Sequence, residues 1–208
     1  MTDLGMDFRI AYFDPIDEDT LSLGEAIFLL SHGHDEYTAN EVIRLYCMET
    51  PVEKFQRIGM EFLYINGYYT ELQRLIMKNK ASMNILNQTW ADVFQVLLDR
   101  RNKRRGQAHI YLRRLQEIKT DDPELICLIE LSKIALYYDL SEFGKIGNFL
   151  DIQPGLFNKI EDDFLLSSCK LRLYQILFIY YWTRNEVIMA RKFAFRALNE
   201  SNSVLTKS

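Results

Sequence analysis

The chain has 208 residues, of which 48% are apolar or aromatic and 26% charged, and 25 Lys+Arg against 29 Asp+Glu leave a formal charge of −4. Only 4 prolines and 9 glycines accompany this apolar content, which excludes a disordered or low-complexity chain and a turn-rich β-sandwich. The mild charge gives no global pull towards nucleic acid or membrane, and the length suffices for one large domain or a run of repeats.

In chain order, Asp14-Pro15 and the acidic run Asp17-Glu18-Asp19 mark residues 1–20 as an irregular acidic lead-in, followed by one helical-repeat domain over 21–208. From Leu21 the apolar spacing predicts ten helices, roughly over 21–32, 36–48, 52–66, 69–79, 84–101, 106–118, 123–139, 141–150, 160–183 and 186–200. Asp35, Thr70, Asp122 and Ser141 suit N-caps, and Pro51 and Pro123 suit first-turn positions, where a missing N–H costs nothing. Gly33 and Gly67 fall where the chain reverses, and Asp151–Lys159, with Pro154-Gly155, reads as a longer connection.

The links are short, so neighbouring helices pack as antiparallel hairpins. Similar turns follow an aromatic helix end at Tyr64–Leu72, Tyr137–Ile146 and Tyr181–Ala190, with the link Arg105–Ala108 filling the gap between the first two. Turns therefore recur about every 40 residues, close to the tetratricopeptide and HEAT range. The last unit, Ala190-x-x-Phe193-x-x-x-Ala197-Leu198, matches the second helix of a tetratricopeptide unit. The expected fold is all-α, a right-handed superhelix of antiparallel helical hairpins.

Catalytic chemistry finds no support. No GxGxxG, GxxxxGK[ST], GxSxG or HExxH is present, so no catalytic residues and no cofactor are expected. His32-Gly33-His34 resembles a metal pair, but it flanks a helix-end glycine and lacks further ligands, so no metal site is assigned. His109 reads as a surface or packing residue. Asp121-Asp122 and Asp162-Asp163 sit at helix starts, where the dipole favours negative charge. Cys47, Cys127 and Cys169 lie singly in apolar stretches and read as core thiols. The start has no basic n-region followed by an apolar core, so no signal peptide is expected, and Leu171–Trp182, interrupted by Arg172 and Gln175, falls short of the roughly 20 residues a membrane span needs. The expectation is a cytoplasmic protein without a membrane partner.

Two features point to binding. Arg100, Arg101, Lys103, Arg104 and Arg105, reinforced by Arg113 and Arg114, concentrate cations at a helix C-terminus. There they suit the dipole, and they also form a candidate docking patch for an acidic protein or nucleic acid. On the long helix, Arg172, Gln175 and Tyr180 share a surface with the core face, and Arg184 follows at its end. Such first helices line the concave side of a solenoid, where an extended peptide or a protein partner binds.

Several strings in order carry a family resemblance: Glu36-Tyr37 leading to Leu45-Tyr46-Cys47, Glu61-Phe62-Leu63-Tyr64 with Tyr68–Ile76, Ile118–Glu124, Leu136-Tyr137-Tyr138, and Arg196–Asn202. Together they resemble the arbitrium communication-peptide receptors of temperate Bacillus phages, the AimR family. The resemblance implies a non-enzymatic, tetratricopeptide-like regulator of lysis–lysogeny that binds a short peptide. Members of that family begin with a helix-turn-helix and continue through further repeats, and neither has a counterpart here, so sequence-specific DNA binding is not expected. Oligomerisation is left open. The alternative is a stand-alone phage interaction protein that docks through Arg100–Arg105.

Overall fold

The computed structural model describes residues 36–102, 107–146, 155 and 157–205, and side chains from Ile43 to Ser201 within those ranges. The lead-in, the helix predicted over 21–32, Asp35, Gly33, the His32–His34 pair and most of the 151–159 connection lie outside the described residues.

Among the described residues the chain forms eight helices: α1 Glu36–Glu49, α2 Glu53–Ile65, α3 Tyr69–Lys80, α4 Ile85–Asn102, α5 Ala108–Glu117, α6 Pro123–Asp139, α7 Asp163–Thr183 and α8 Val187–Leu205. A further helical turn covers 143–146, inside the helix predicted over 141–150. The all-α class and the antiparallel hairpin repeat therefore stand. Each of α1 to α5 packs on its successor, and α7 packs on α8. A second layer of contacts joins α2 to α4, α4 to α6 and α6 to α7, as stacked hairpins require.

Capping explains several boundaries. Asp122 accepts from the Leu125 N–H at 2.7 Å with Pro123 in the first turn behind it, and Asp162 accepts from the Leu165 N–H at 3.0 Å. Asn84 caps α4 by accepting from the Leu86 N–H at 2.9 Å. Three expected positions differ. Thr70 lies inside α3, which begins at Tyr69 with Tyr68 as its N-cap and no side-chain cap bond. Pro51 precedes the Val52 N-cap instead of entering the first turn. Ser141 caps no helix start; it ends α6 in a left-handed conformation at φ 60°.

That last correction reveals the repeat in physical form. Gly67, Ser141 and Asn185 all have positive φ, at 80°, 60° and 61°. Each donates to the carbonyl three residues back (Tyr64, Tyr138 and Trp182), and the following N–H donates five residues back, to Leu63, Tyr137 and Tyr181. This is one C-terminal capping motif used three times, closing the last carbonyls of α2, α6 and α7. It occurs at the three turns whose sequences look alike.

The core runs from Ile43 to Phe193 as one apolar cluster. Helices α2 and α6 are buried nearly all round, including Phe55, Ile58, Met60, Phe62 and Leu63 on α2 and Leu125, Leu128, Leu131 and Ile134 on α6. Gly59 lets α1 approach closely: a Cβ there would stand 2.9 Å from the Cβ and Sγ of Cys47. The thiols of Cys47, Cys127 and Cys169 are free and buried, and burial pushes Cys47 up to about 12. In the last hairpin, Phe193 of α8 stacks on Tyr181 at 5.5 Å and Ala190 is buried, as the tetratricopeptide-like pattern requires. Leu198 differs. It is 55% exposed, because no described element covers that face of α8.

A candidate binding cleft among five helices

Helix α7 does more than follow α6. It also crosses to α2, and polar side chains mark the crossing. Glu61, fully buried amid the apolar face of α2, accepts from the Ser168 hydroxyl and from the Arg172 guanidinium of α7. Burial works against the Arg172 charge, but Glu61 with Tyr64 and Cys169 holds its pKa above the ordinary arginine value. The guanidinium also lies 4.7 Å over the Tyr64 ring.

Above this pair opens a cleft of about 330 Å³, walled by Tyr64 and Ile65 of α2, Tyr69 of α3, Leu97, Arg100 and Arg101 of α4, Leu131, Ser132 and Ala135 of α6, and Ser168, Leu171, Arg172, Gln175 and Ile176 of α7. Its volume is at the low end for ligand sites, and its aliphatic walls with a few convergent polar groups are typical of them. Tyr64 and Tyr69 meet edge to face with centroids 6.3 Å apart, and Tyr64 meets Phe94 likewise at 6.3 Å, so the aromatic corner is braced from behind.

Three arginines reach this cleft with different obligations. Arg100 forms a two-pronged pair with Asp139 of α6 at 2.8 and 2.9 Å and donates to the Ala135 carbonyl at 3.4 Å. Arg172 is committed to Glu61. Arg101 lies 4.3 Å over the Tyr69 ring and is exposed.

The cleft brings together residues that the sequence places in two separate groups. Arg172 and Gln175 of the expected peptide face share it with Arg100 and Arg101 of the basic run. Tyr180 and Arg184 are not among its lining. Tyr180 is buried against Phe143 at 6.2 Å, and Arg184 covers the Tyr180 ring while bonding Glu186. Arg113 and Arg114 point elsewhere on α5: Arg113 pairs with Glu117 at 3.0 Å and Arg114 with Asp99 at 2.8 Å, beside an open groove of about 440 Å³. Lys103, Arg104 and Arg105 lie outside the described residues. Sequence reading did not single out Glu61, Ser168, Tyr64 or Tyr69 as site residues. A carboxylate between Met60 and Phe62 on an apolar helix was the available signal.

A family model described as AimR transcriptional regulator-like matches residues 39–208. The chain belongs to the AimR-like family. A solved structure of phAimR, in its selenomethionine form, is similar with a TM-score of 0.71 at 20% sequence identity, covering 87% of this chain and 47% of the other. At that identity the likeness speaks for the fold, and this AimR-like chain spans about half the length of that structure. A search of curated proteins finds no match. The AimR-like helical fold thus agrees with the resemblance read from the sequence, and no helix among the described residues is long and apolar enough to cross a membrane.

Proposed function

We propose that this AimR-like chain is a non-enzymatic, cytoplasmic regulatory receptor of phage or prophage origin, whose cleft takes a short peptide in the control of lysis and lysogeny. The observation that carries the reading is convergence: one cleft gathers aliphatic walls, a braced tyrosine corner and arginines from α4 and α7, while α7 is tied to α2 beneath it. A peptide touching α4, α6 and α7 together favours one arrangement of the stacked hairpins over others, and differential affinity of that kind shifts a population. Docking of an acidic protein through the basic run is less favoured, because Arg100, Arg113 and Arg114 already carry carboxylate partners.

The test is thermal. Pools of synthetic hexapeptides should contain members that raise the melting temperature of the full chain, by mass action on the folded state. Ala135→Leu, which fills the cleft from α6, should remove the shift while leaving the circular dichroism spectrum intact. A chain that no pool stabilises sinks the proposal.

A further inference from the structure

Arg101 differs from the other two cleft arginines. The Asp139 carboxylate takes Nε and Nη2 of Arg100, and Nη2 also reaches the Ala135 carbonyl. On Arg172, Glu61 takes Nη2 and Nε is enclosed without an acceptor. Arg101 has the Tyr69 ring under its face and no carboxylate partner among the described residues. Stacking uses the face of a guanidinium and leaves its in-plane N–H fork available, and that fork matches a carboxylate in two-pronged geometry.

We propose that the cleft selects peptides by their free C-terminal carboxylate, held by Arg101 on its tyrosine platform. The inference rests on the reading of the cleft as a peptide site and names the end of the peptide that enters it. Three observations favour this occupant. The cleft is small, about 330 Å³, which suits the end of a chain rather than a whole peptide. Leu97, Leu131, Leu171 and Ile176 supply aliphatic walls for the last side chains. A nucleic-acid backbone would instead need a run of unpaired cations, and among the described residues Arg100, Arg113 and Arg114 are each paired with a carboxylate.

The experiment compares two equimolar pools of the same hexapeptides, one with free C-termini and one amidated, by affinity capture on the full chain and by titration of the retained peptides. Free-acid peptides should bind at least roughly tenfold tighter than their amides, as expected for a charge-assisted contact. Arg101→Gln should erase that difference and leave the melting temperature of the unliganded chain unchanged. Arg101→Lys should restore part of it, since charge returns without the planar fork. Tyr69→Leu should weaken free-acid binding with Arg101 intact. Equal binding of both pools overturns the carboxylate proposal while the peptide reading stands. Retention from the amidated pool of only Asp- or Glu-containing members overturns it in favour of a side-chain carboxylate. Displacement of the free-acid pool by a single-stranded oligonucleotide overturns it in favour of phosphate, and the absence of binding by either pool overturns both readings.

Discussion

Glu61 places a charge inside the apolar interior. Its carboxylate is fully buried and has two donors, so removing either member of the ion pair leaves an uncompensated charge. Glu61→Leu or Arg172→Met alone should each cost about 3–5 kcal/mol, whereas the double variant should recover much of that loss, because two apolar side chains of similar size repack. A double-mutant cycle by urea denaturation reads the coupling. Glu124 behaves in the opposite sense. Burial, partly offset by the Asp162 N–H and Lys54, raises its pKa above the ordinary 4.5. A carboxyl raised in the folded state binds its proton more tightly there than when unfolded. Its contribution to stability is therefore fully present below about 4.5 and lost as pH rises through the raised value. Glu124→Gln should flatten that part of the stability–pH profile and be neutral or stabilising at pH 7, as chemical denaturation at successive pH values would record.

At the scale of elements, the three left-handed turns hold the hairpins in register. Gly67 adopts its conformation freely, while Ser141 and Asn185 do so against the preference of a side-chain-bearing residue. Ser141→Gly should stabilise by about 1 kcal/mol, Asn185→Gly by less because asparagine tolerates this region, and Gly67→Ala should destabilise by a similar amount. Melting temperatures of the three variants order the effect. These turns show what the sequence exposes and what it hides. The aromatic helix ends were legible because they recur in type and spacing, as were Asp122 with Pro123, since capping is local chemistry. Ser141 was misread because serine suits both a helix start and a turn, and only the backbone bond from Glu142 to Tyr137 decides between them.

The cleft belongs to the whole molecule, and this explains why sequence reading reached only half of it. Arg172 and Gln175 were legible as polar positions on an apolar helix. Their meeting with Arg100 and Arg101 depends on α4, α6 and α7 sharing one face, which no local spacing encodes. Nor does spacing encode a bond between residues 111 apart. That bond has a global effect: repeat arrays unfold piecemeal when each unit touches only its neighbours, and the α2–α7 crossing opposes this. In the Trp182→Phe chain, fluorescence from buried Trp90 and the loss of helical circular dichroism should therefore follow a single urea transition. Adding Arg172→Met should split them, with helix lost first from α7 and α8.

The Glu61–Arg172 crossing also sets an order of events during synthesis. The ribosome releases α2 well before α7, and at about 5–20 residues per second the separation of 111 positions takes several seconds or more to translate. During that interval Glu61 has no arginine to meet, so burying it means carrying an unpaired charge or taking up a proton, and both disfavour early collapse. Collapse onto the Glu61 face of α2 is therefore less favourable before Arg172 has emerged than after it. A single acidic residue thus biases closure of the interior towards the moment when the helix that completes the cleft is present.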